Sequence, residues 1–571
     1  MSEPVPTEPL HGGIHAMAAA RAAGVDLLFT LSGAHVFPLY DAAVGGRDLV
    51  QQATSNRAAQ YAGPVRLIDV RHEQTAVFAA EAVGKLTRRA GLAALTAGPG
   101  ITNGVSAMAG AQLNGSPLVV IGGRAPNFRW GSGALQELDH PPILQTITKR
   151  SWTVHDPALI HTEVAGAFRL ANSAHRGPVF LDIPMDVLFT PAGAESATPV
   201  DEQSAEIDHE SLRAAARAIA GAAHPVIVLG SDTWQGGAEG AAADFVHELG
   251  IPAIANGMGR GILAPNDPLL VTRARSTAFK GCDLVIVVGT PLDFRLNYGQ
   301  FGDTASDRRP TVVHLVDHPA QAAAHVDTIT LAADLAASLA ALTSAVQADR
   351  RGTAPRADWS AWAQQLADET ASARLNDRSV MDSSARPIHP AAVYGALLPR
   401  LTEDAVVIGD GGDFVSFAGK YIEPARPGHW LDPGPYGCLG TGPGYAMAAA
   451  LTHPGSPIFL LAGDGALGFS FLDLQSMVTH RLPVVIIVGN NSGWALERHP
   501  MRMLYGYDVI ADLPDTNYAE LMVDLGGAGE RIEAAAELGP AIDRAMAHGL
   551  PTLIDVRTDP EIAYPRSTTG I

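Results

Sequence analysis

Two cysteines in 571 residues, Cys282 and Cys438, are too few for a disulfide framework or a multi-thiolate zinc centre. A disulfide between them is not expected, and a reducing, cytoplasmic setting fits best. Positive charge is also scarce. With 39 Lys+Arg against 59 Asp+Glu, the formal charge of −20 repels nucleic acid and anionic membrane surfaces, so neither is an expected partner. Long apolar runs are missing too, and stretches such as 483–488 are too short to span a bilayer. The opening MSEPVPTEPLHGG has neither the basic leader nor the apolar core of a secretory signal.

What remains is a globular composition, 47% hydrophobic and 17% charged, long enough for three or four domains. Short β-branched runs at 92–96, 117–121, 179–183, 225–229, 284–288, 458–461 and 484–488 alternate with Ala-rich helical stretches such as 73–83 and 104–113. That alternation predicts an α/β protein built of doubly wound parallel sheets. Two Pro-, Ala- and charge-rich stretches, 190–204 and 348–389, interrupt the rhythm and read as linkers. They divide the chain into three domains, 10–190, 205–347 and 385–560.

The strongest local motif follows the apolar strand at 458–461: Gly463-Asp464-Gly465-Ala466-Leu467-Gly468. Alone it matches the dinucleotide fingerprint, which needs an acid at the end of the next strand. That strand instead ends in Gly489-Asn490-Asn491-Ser492-Gly493. An Asp and an Asn 27 residues apart at adjacent strand ends offer two oxygens to a hard cation such as Mg²⁺, and the glycines let backbone approach a diphosphate at a helix start. The plain alternative is a pair of polar turns.

These residues carry a resemblance. GDG, about 26 residues and NN resembles the metal–diphosphate motif of thiamine-diphosphate enzymes, which implies Mg²⁺ held by Asp464, Asn491 and the Gly493 carbonyl. Asp69-Val70-Arg71-His72-Glu73-Gln74 resembles the family segment whose Glu hydrogen-bonds the cofactor's aminopyrimidine, a role that falls to Glu73. Ala97 to Gly104 resembles the family's glycine-rich loop, and Gly437 to Gly442 the segment that props the cofactor, with Leu439 as the prop. Cofactor contacts are thereby implied for Glu73, Gly412, Asp413, Leu439, Gly463, Asp464, Gly465, Ala466, Asn491, Gly493 and Trp494. The fold implied is a pyrimidine-binding, a central and a diphosphate-binding domain, with the cofactor bridging subunits of a homodimer or homotetramer.

Within the family, the chain is similar to the group of acetolactate synthases, oxalyl-CoA decarboxylases and 2-hydroxyacyl-CoA lyases. Three departures point away from the synthases: Met185 where they usually carry Lys, no Gln-Trp pair after NN, and no G-M-x-G-M-H-G loop in the middle block. Asp410-Gly411-Gly412-Asp413-Phe414 and Trp430 to Gly434 resemble an acetolactate-synthase-like branch that includes 2-hydroxyacyl-CoA lyases. The expected reaction is cleavage of a small-molecule CoA thioester, a 2-hydroxyacyl-CoA, to formyl-CoA and an aldehyde or ketone. Alternatives are a 2-oxo acid carboligase or decarboxylase, an NAD-dependent dehydrogenase and a non-catalytic relative.

Besides Glu73, the candidate catalytic residues are Glu497, for the substrate hydroxyl proton, His35 and Gln136. Glu497 reads equally as a surface partner of Arg498, and His35 as a core or interface histidine. Gln136 would orient a carbonyl, Glu137 reads as structural and His72 as a support for Glu73. Arg124, Arg129, Arg260, Arg273 and Arg275 suit nucleotide phosphates or internal ion pairs. The resemblance places ADP, FAD or neither in the central domain, near Arg273 to Arg275 and Asp317.

Overall fold

The computed structural model describes residues 10–46, 63–193, 205–303, 309–352 and 358–564. It holds three parallel sheets, each with helices on both faces. The first runs Arg66–Asp69, Leu27–Thr30, Gly91–Leu95, Leu118–Arg124, Pro178–Pro184, Arg150–Thr153. The third has the same number of strands, in the order Trp430–Leu431, Val406–Asp410, Ile458–Gly463, Val484–Asn490, Thr552–Arg557, Ala528–Ile532. The central sheet has five: Ala253–Ala255, Pro225–Leu229, Leu284–Val288, Thr311–Val316, Ile329–Ala332. Strands covered on both faces read as unbroken apolar runs, and every residue of Val484–Asn490 is buried.

The first and third domains share one core. The helix Glu73–Thr87 lies against the helix Gly442–Thr452, both Ala-rich, and the axes approach so closely that a Cβ on Gly444 would stand 3.0 Å from the Ala79 nitrogen. Between them Glu81 is wholly buried and accepts hydrogen bonds from the Tyr445 hydroxyl (2.8 Å), Asn114 (2.8 Å) and Ser116 (3.0 Å), with Lys85 Nζ at 3.7 Å. A fully satisfied buried carboxylate fixes one register of this seam, and with it the position of Glu73 at the helix start.

The stretch 348–389, expected as a linker, contains the end of the helix Leu335–Gly352 and the whole of Ser360–Met381. Trp359, Trp362 and Leu366 of this stretch are buried in the central domain's core, and the two indoles donate to the carbonyls of Ala222 and Pro225. The expected linker 190–204 begins with Pro191–Ala192, paired to Leu10–His11, and residues 194–204 lie outside the described residues. Both cysteines are free thiols. Among the described residues no helix is long and apolar enough to cross a membrane.

Candidate active site

Strand register brings the third-domain motif together. Gly463 pairs with Gly489 on the neighbouring strand, so Asp464 and the 490–493 turn emerge side by side at the carboxyl edge of the sheet. Asp464 accepts the amide protons of Gly465 (3.0 Å) and Gly493 (3.2 Å). Burial pushes its carboxyl up to about 6, against the pull of these amides. Beside it the Asn491 Oδ1 is buried with no hydrogen bond. A carboxylate short of positive charge and an orphaned amide oxygen are what a divalent cation would satisfy, so the residues fit Mg²⁺. Asn490 has a different task, donating to Asp555 and to the Thr516 carbonyl.

A cavity of about 540 Å³ opens over this edge. Gly412, Asp413, Leu439, Gly463, Asp464, Gly465, Ala466, Asn491, Gly493, Trp494 and Glu497 all line it. Two glycines are dictated by close approach: a Cβ on Gly465 would meet the Trp494 ring at 2.5 Å, and one on Gly411 would meet Leu439 Cδ2 at 2.1 Å. Leu439 thus stands over the glycine turn, where the resemblance expects an apolar prop. Glu497, in the first turn of the helix Ala495–Tyr505, faces this cavity, while the neighbouring Arg498 turns inward to Asp512 (2.8 Å) and to the carbonyls of Ser492 and Ala511. Glu497 is itself exposed, as the reading of a surface residue expects.

The first-domain candidates form a second group. Glu73 is buried at the head of its helix, with Oε2 accepting from Asn103 Nδ2 at 2.9 Å. His72 is exposed and caps the same helix through Nδ1. His35 is buried with Nδ1 3.1 Å from the Thr96 hydroxyl, and burial lowers its pKa, favouring neutral imidazole. Gln136 has left-handed backbone (φ +59°) and packs on Gly98. Glu137 is structural, accepting from the amides of Gly131 and Ala134. None of Glu73, His35 and Gln136 lines the third-domain cavity. The two groups are two faces of one chain, tied by Asp473, which accepts from Arg71 N (2.7 Å) and the Thr75 hydroxyl (2.8 Å) on either side of Glu73.

The expected arginine set disperses. Arg124 pairs with Asp182 and Asp139 and stacks on Trp130, Arg129 lies over Phe128, and Arg273 pairs with Asp377. Arg260 lines the cavity while donating to the carbonyls of Gly419 and Ile422. Arg275 donates to the Arg295 carbonyl, and burial, then Arg260 and Arg295, bring it down to about 10. Asp317 is in another place, paired with Arg176 beside a separate cavity that Arg273 and Arg275 do not line. Arg273 and Arg275 are thus not brought together with Asp317, and nothing in their contacts supports ADP or FAD over neither.

Asp317 also forms a cluster with His175 and Asp232 at the seam of the first and central domains. The Gln321 amide occupies it, donating to His175 (2.7 Å) and Asp232 (2.8 Å) while its Oε1 accepts from His318 N. Three participants of the main site escaped sequence reasoning as functional: Asn103, Asp473 and the cavity-lining Arg295. Asn103 sits inside a segment singled out by resemblance, but no local pattern marks what its side chain or that of Arg295 meets.

Comparison with known proteins agrees with this architecture. Family models described as thiamine pyrophosphate enzyme N-terminal TPP binding domain, central domain and C-terminal TPP binding domain match residues 11–143, 212–342 and 410–556. A probable acetolactate synthase of Mycobacterium bovis is 43% identical over 99% of both chains. The 2-hydroxyacyl-CoA lyase 2 of Danio rerio is 32% identical over 94% of this chain and 89% of its own. The human 2-hydroxyacyl-CoA lyase 2 is 31% identical over 91% of this chain and 84% of its own. With a family model on each of its three sheets and full-length relatives of both kinds, the chain belongs to the thiamine-pyrophosphate enzymes, in the group of acetolactate synthases and 2-hydroxyacyl-CoA lyases.

Proposed function

We propose that this enzyme is a Mg²⁺-dependent carbon–carbon lyase that cleaves a 2-hydroxyacyl-CoA to formyl-CoA and an aldehyde or ketone. The observation that supports the reading is Glu497 on the wall of the cavity, past Trp494, where its carboxylate would take the substrate's 2-hydroxyl proton. Thiamine diphosphate, when bound, supplies the nucleophilic carbon and the electron sink for breaking the bond between C1 and C2. Asp464, Asn491 and the Gly493 carbonyl would hold its Mg²⁺, and the glycines at 411–412 and 463–465 admit the diphosphate. Glu73, oriented by Asn103, would hold the proton at the aminopyrimidine, with His35 and Gln136 beside it on the substrate side. Arg295 and Arg260 line the central-domain wall of the cavity, paired with Asp293 (2.7 Å) and Glu423 (3.2 Å), and their remaining N–H groups would meet an anionic CoA thioester.

The active unit in this reading is a homodimer or a homotetramer, acting in the cytoplasm. Support comes from the separation of the Glu73 group from the cavity, and from apolar side chains exposed near each: Phe128 (73%) and Leu135 (79%) on the first domain, Phe469 (61%) and Leu472 (63%) on the third. A second copy would cover both and bring Glu73 of one chain over Asp464 of the other.

A second reading, an acetolactate-synthase-like carboligase or decarboxylase of 2-oxo acids, is favoured by the 43% identity to the protein named for that activity. Product analysis separates them. Purified enzyme with thiamine diphosphate and Mg²⁺ is offered pyruvate or a panel of 2-hydroxyacyl-CoA thioesters. Formyl-CoA with an aldehyde or ketone is expected, and acetolactate from pyruvate with inert thioesters would overturn the lyase.

A further inference from the structure

The first domain buries a histidine and an aspartate that no step above uses. His140 and Asp182 are each wholly buried, and His140 Nδ1 lies 2.8 Å from Asp182 Oδ2. Asp182 sits inside the strand Pro178–Pro184, paired to Gly122 on one side and Thr153 on the other, and Arg124 donates to the same oxygen at 3.0 Å. The other ring nitrogen, His140 Nε2, accepts the Gly98 amide proton at 3.0 Å. An amide can only donate, so Nε2 carries the lone pair and the ring's proton is on Nδ1, facing Asp182. The rigid sheet thereby reaches one peptide group through a ring of fixed tautomer.

That peptide group is the pivot of the Glu73 side of the site. Gly98 has φ +61° and ψ −115°, a conformation left to glycine, and its carbonyl accepts from Ile101 and Thr102 to start the helix Pro99–Asn103. One end of the turn packs against Gln136, whose Cβ, carbonyl oxygen and Cα lie 3.0–3.2 Å from where a Gly98 Cβ would stand. The other end, one helical turn on, carries Asn103, whose amide holds Glu73. We propose that His140, held by Asp182, is a positioning residue that sets the Gly98 turn and through it the placement of Asn103, Glu73 and Gln136. The inference rests on the reading of Glu73 as the acid that meets the cofactor. His140 itself touches neither the cavity nor Glu73, so it acts through the turn.

Two substitutions separate the two ends of the imidazole. In His140→Asn the side-chain nitrogen stands near the former Nδ1 and keeps Asp182, while the acceptor for Gly98 is lost. In His140→Gln the amide oxygen reaches the former Nε2 position and keeps Gly98, while Asp182 is given up. Amide hydrogen exchange over 97–104 in cofactor-free protein is measured beside kcat, cofactor affinity and the thermal midpoint. His140→Asn is expected to speed exchange at Gly98 by ~10-fold or more and to lower kcat ~30-fold, with cofactor affinity within ~3-fold of wild type. His140→Gln is expected to restore both exchange and kcat to within ~3-fold of wild type.

Normal exchange at Gly98 in His140→Asn overturns the proposal, as does a loss of kcat in both variants that follows the thermal midpoint. Should His140→Asn not fold, His140→Ala takes its place beside His140→Gln: fast exchange at Gly98 in His140→Ala alone sustains the proposal, and equal exchange in the two contradicts it. Glu73→Gln is run in parallel. If it turns over normally, the reading of Glu73 fails, while the exchange data still judge the His140–Gly98 link.

Discussion

Arg498 lies so close beneath Gly493 that a Cβ on Gly493 would stand 2.0 Å from its Nη2. The guanidinium is 3% exposed and joins three segments, donating to Ser492 O (3.3 Å), Ala511 O (3.3 Å) and Pro560 O (3.4 Å). The turn that would offer the Gly493 carbonyl to the cation thus has its shape fixed from below. Gly493→Ala forces the two apart. It is expected to raise by ~10-fold or more the thiamine diphosphate and Mg²⁺ concentration that gives half of the full thermal stabilisation, read from melting curves over a titration.

Asp464→Ala removes the carboxylate of the proposed cation site. Thermal stabilisation by thiamine diphosphate and Mg²⁺ together is expected to vanish, while the apo midpoint stays near or above that of wild type, because a carboxyl raised to about 6 by burial is itself a cost to the apo fold.

Glu73→Gln keeps the shape and the Asn103 contact but loses the carboxylate. Cofactor-dependent stabilisation should persist while kcat falls ~10²–10⁴-fold. Asn103→Ala frees the Glu73 carboxylate to turn, and a smaller loss, ~10-fold, is expected. Single-turnover and steady-state kinetics on the two variants check the order.

Glu497→Gln tests the hydroxyl-proton assignment. In the lyase reading kcat on the thioester falls ~10²-fold or more with KM little changed. A variant as active as wild type would remove Glu497 from the chemistry.

Burial, and then the neighbouring Asp232 carboxylate, raise Asp317 from 3.8 to about 6. Between those values the folded chain keeps a proton that the unfolded chain has released, so this group's contribution to stability declines as pH rises through the window and levels off above it. Asp317→Asn abolishes the effect. The thermal midpoint of the variant, taken relative to wild type, is expected to climb from about pH 4 to about pH 6 and then stay flat.

The buried strands and the placing of Asp464 and Asn491 side by side were legible in the sequence for a physical reason. A strand buried on both faces writes an uninterrupted apolar run, and 225–229 and 284–288 coincide with Pro225–Leu229 and Leu284–Val288. Asp464 and Asn491 stand at adjacent strand ends, so one crossover separates them in sequence as in space. Contacts across the fold leave no such period. Asp473 meets Arg71 and Thr75 from 402 and 398 residues away, and the Asn103–Glu73 bond joins two turns that look independent. The helix Ser360–Met381 was hidden by flanking Arg-Arg-Gly and Pro steps, although Trp359, Trp362 and Leu366 already stood at helical spacing.

In the proposed dimer, the Glu73 group of one chain and the Asp464 cavity of the other would act on one thiamine diphosphate. Mixing inactive Glu73→Gln and Asp464→Ala chains, unfolded and refolded together, tests it. In a mixed dimer one site combines the intact Glu73 of one chain with the intact Asp464 of the other. Random pairing should then restore about a quarter of wild-type activity. Mixed dimers that assemble and remain as inactive as either parent would contradict it.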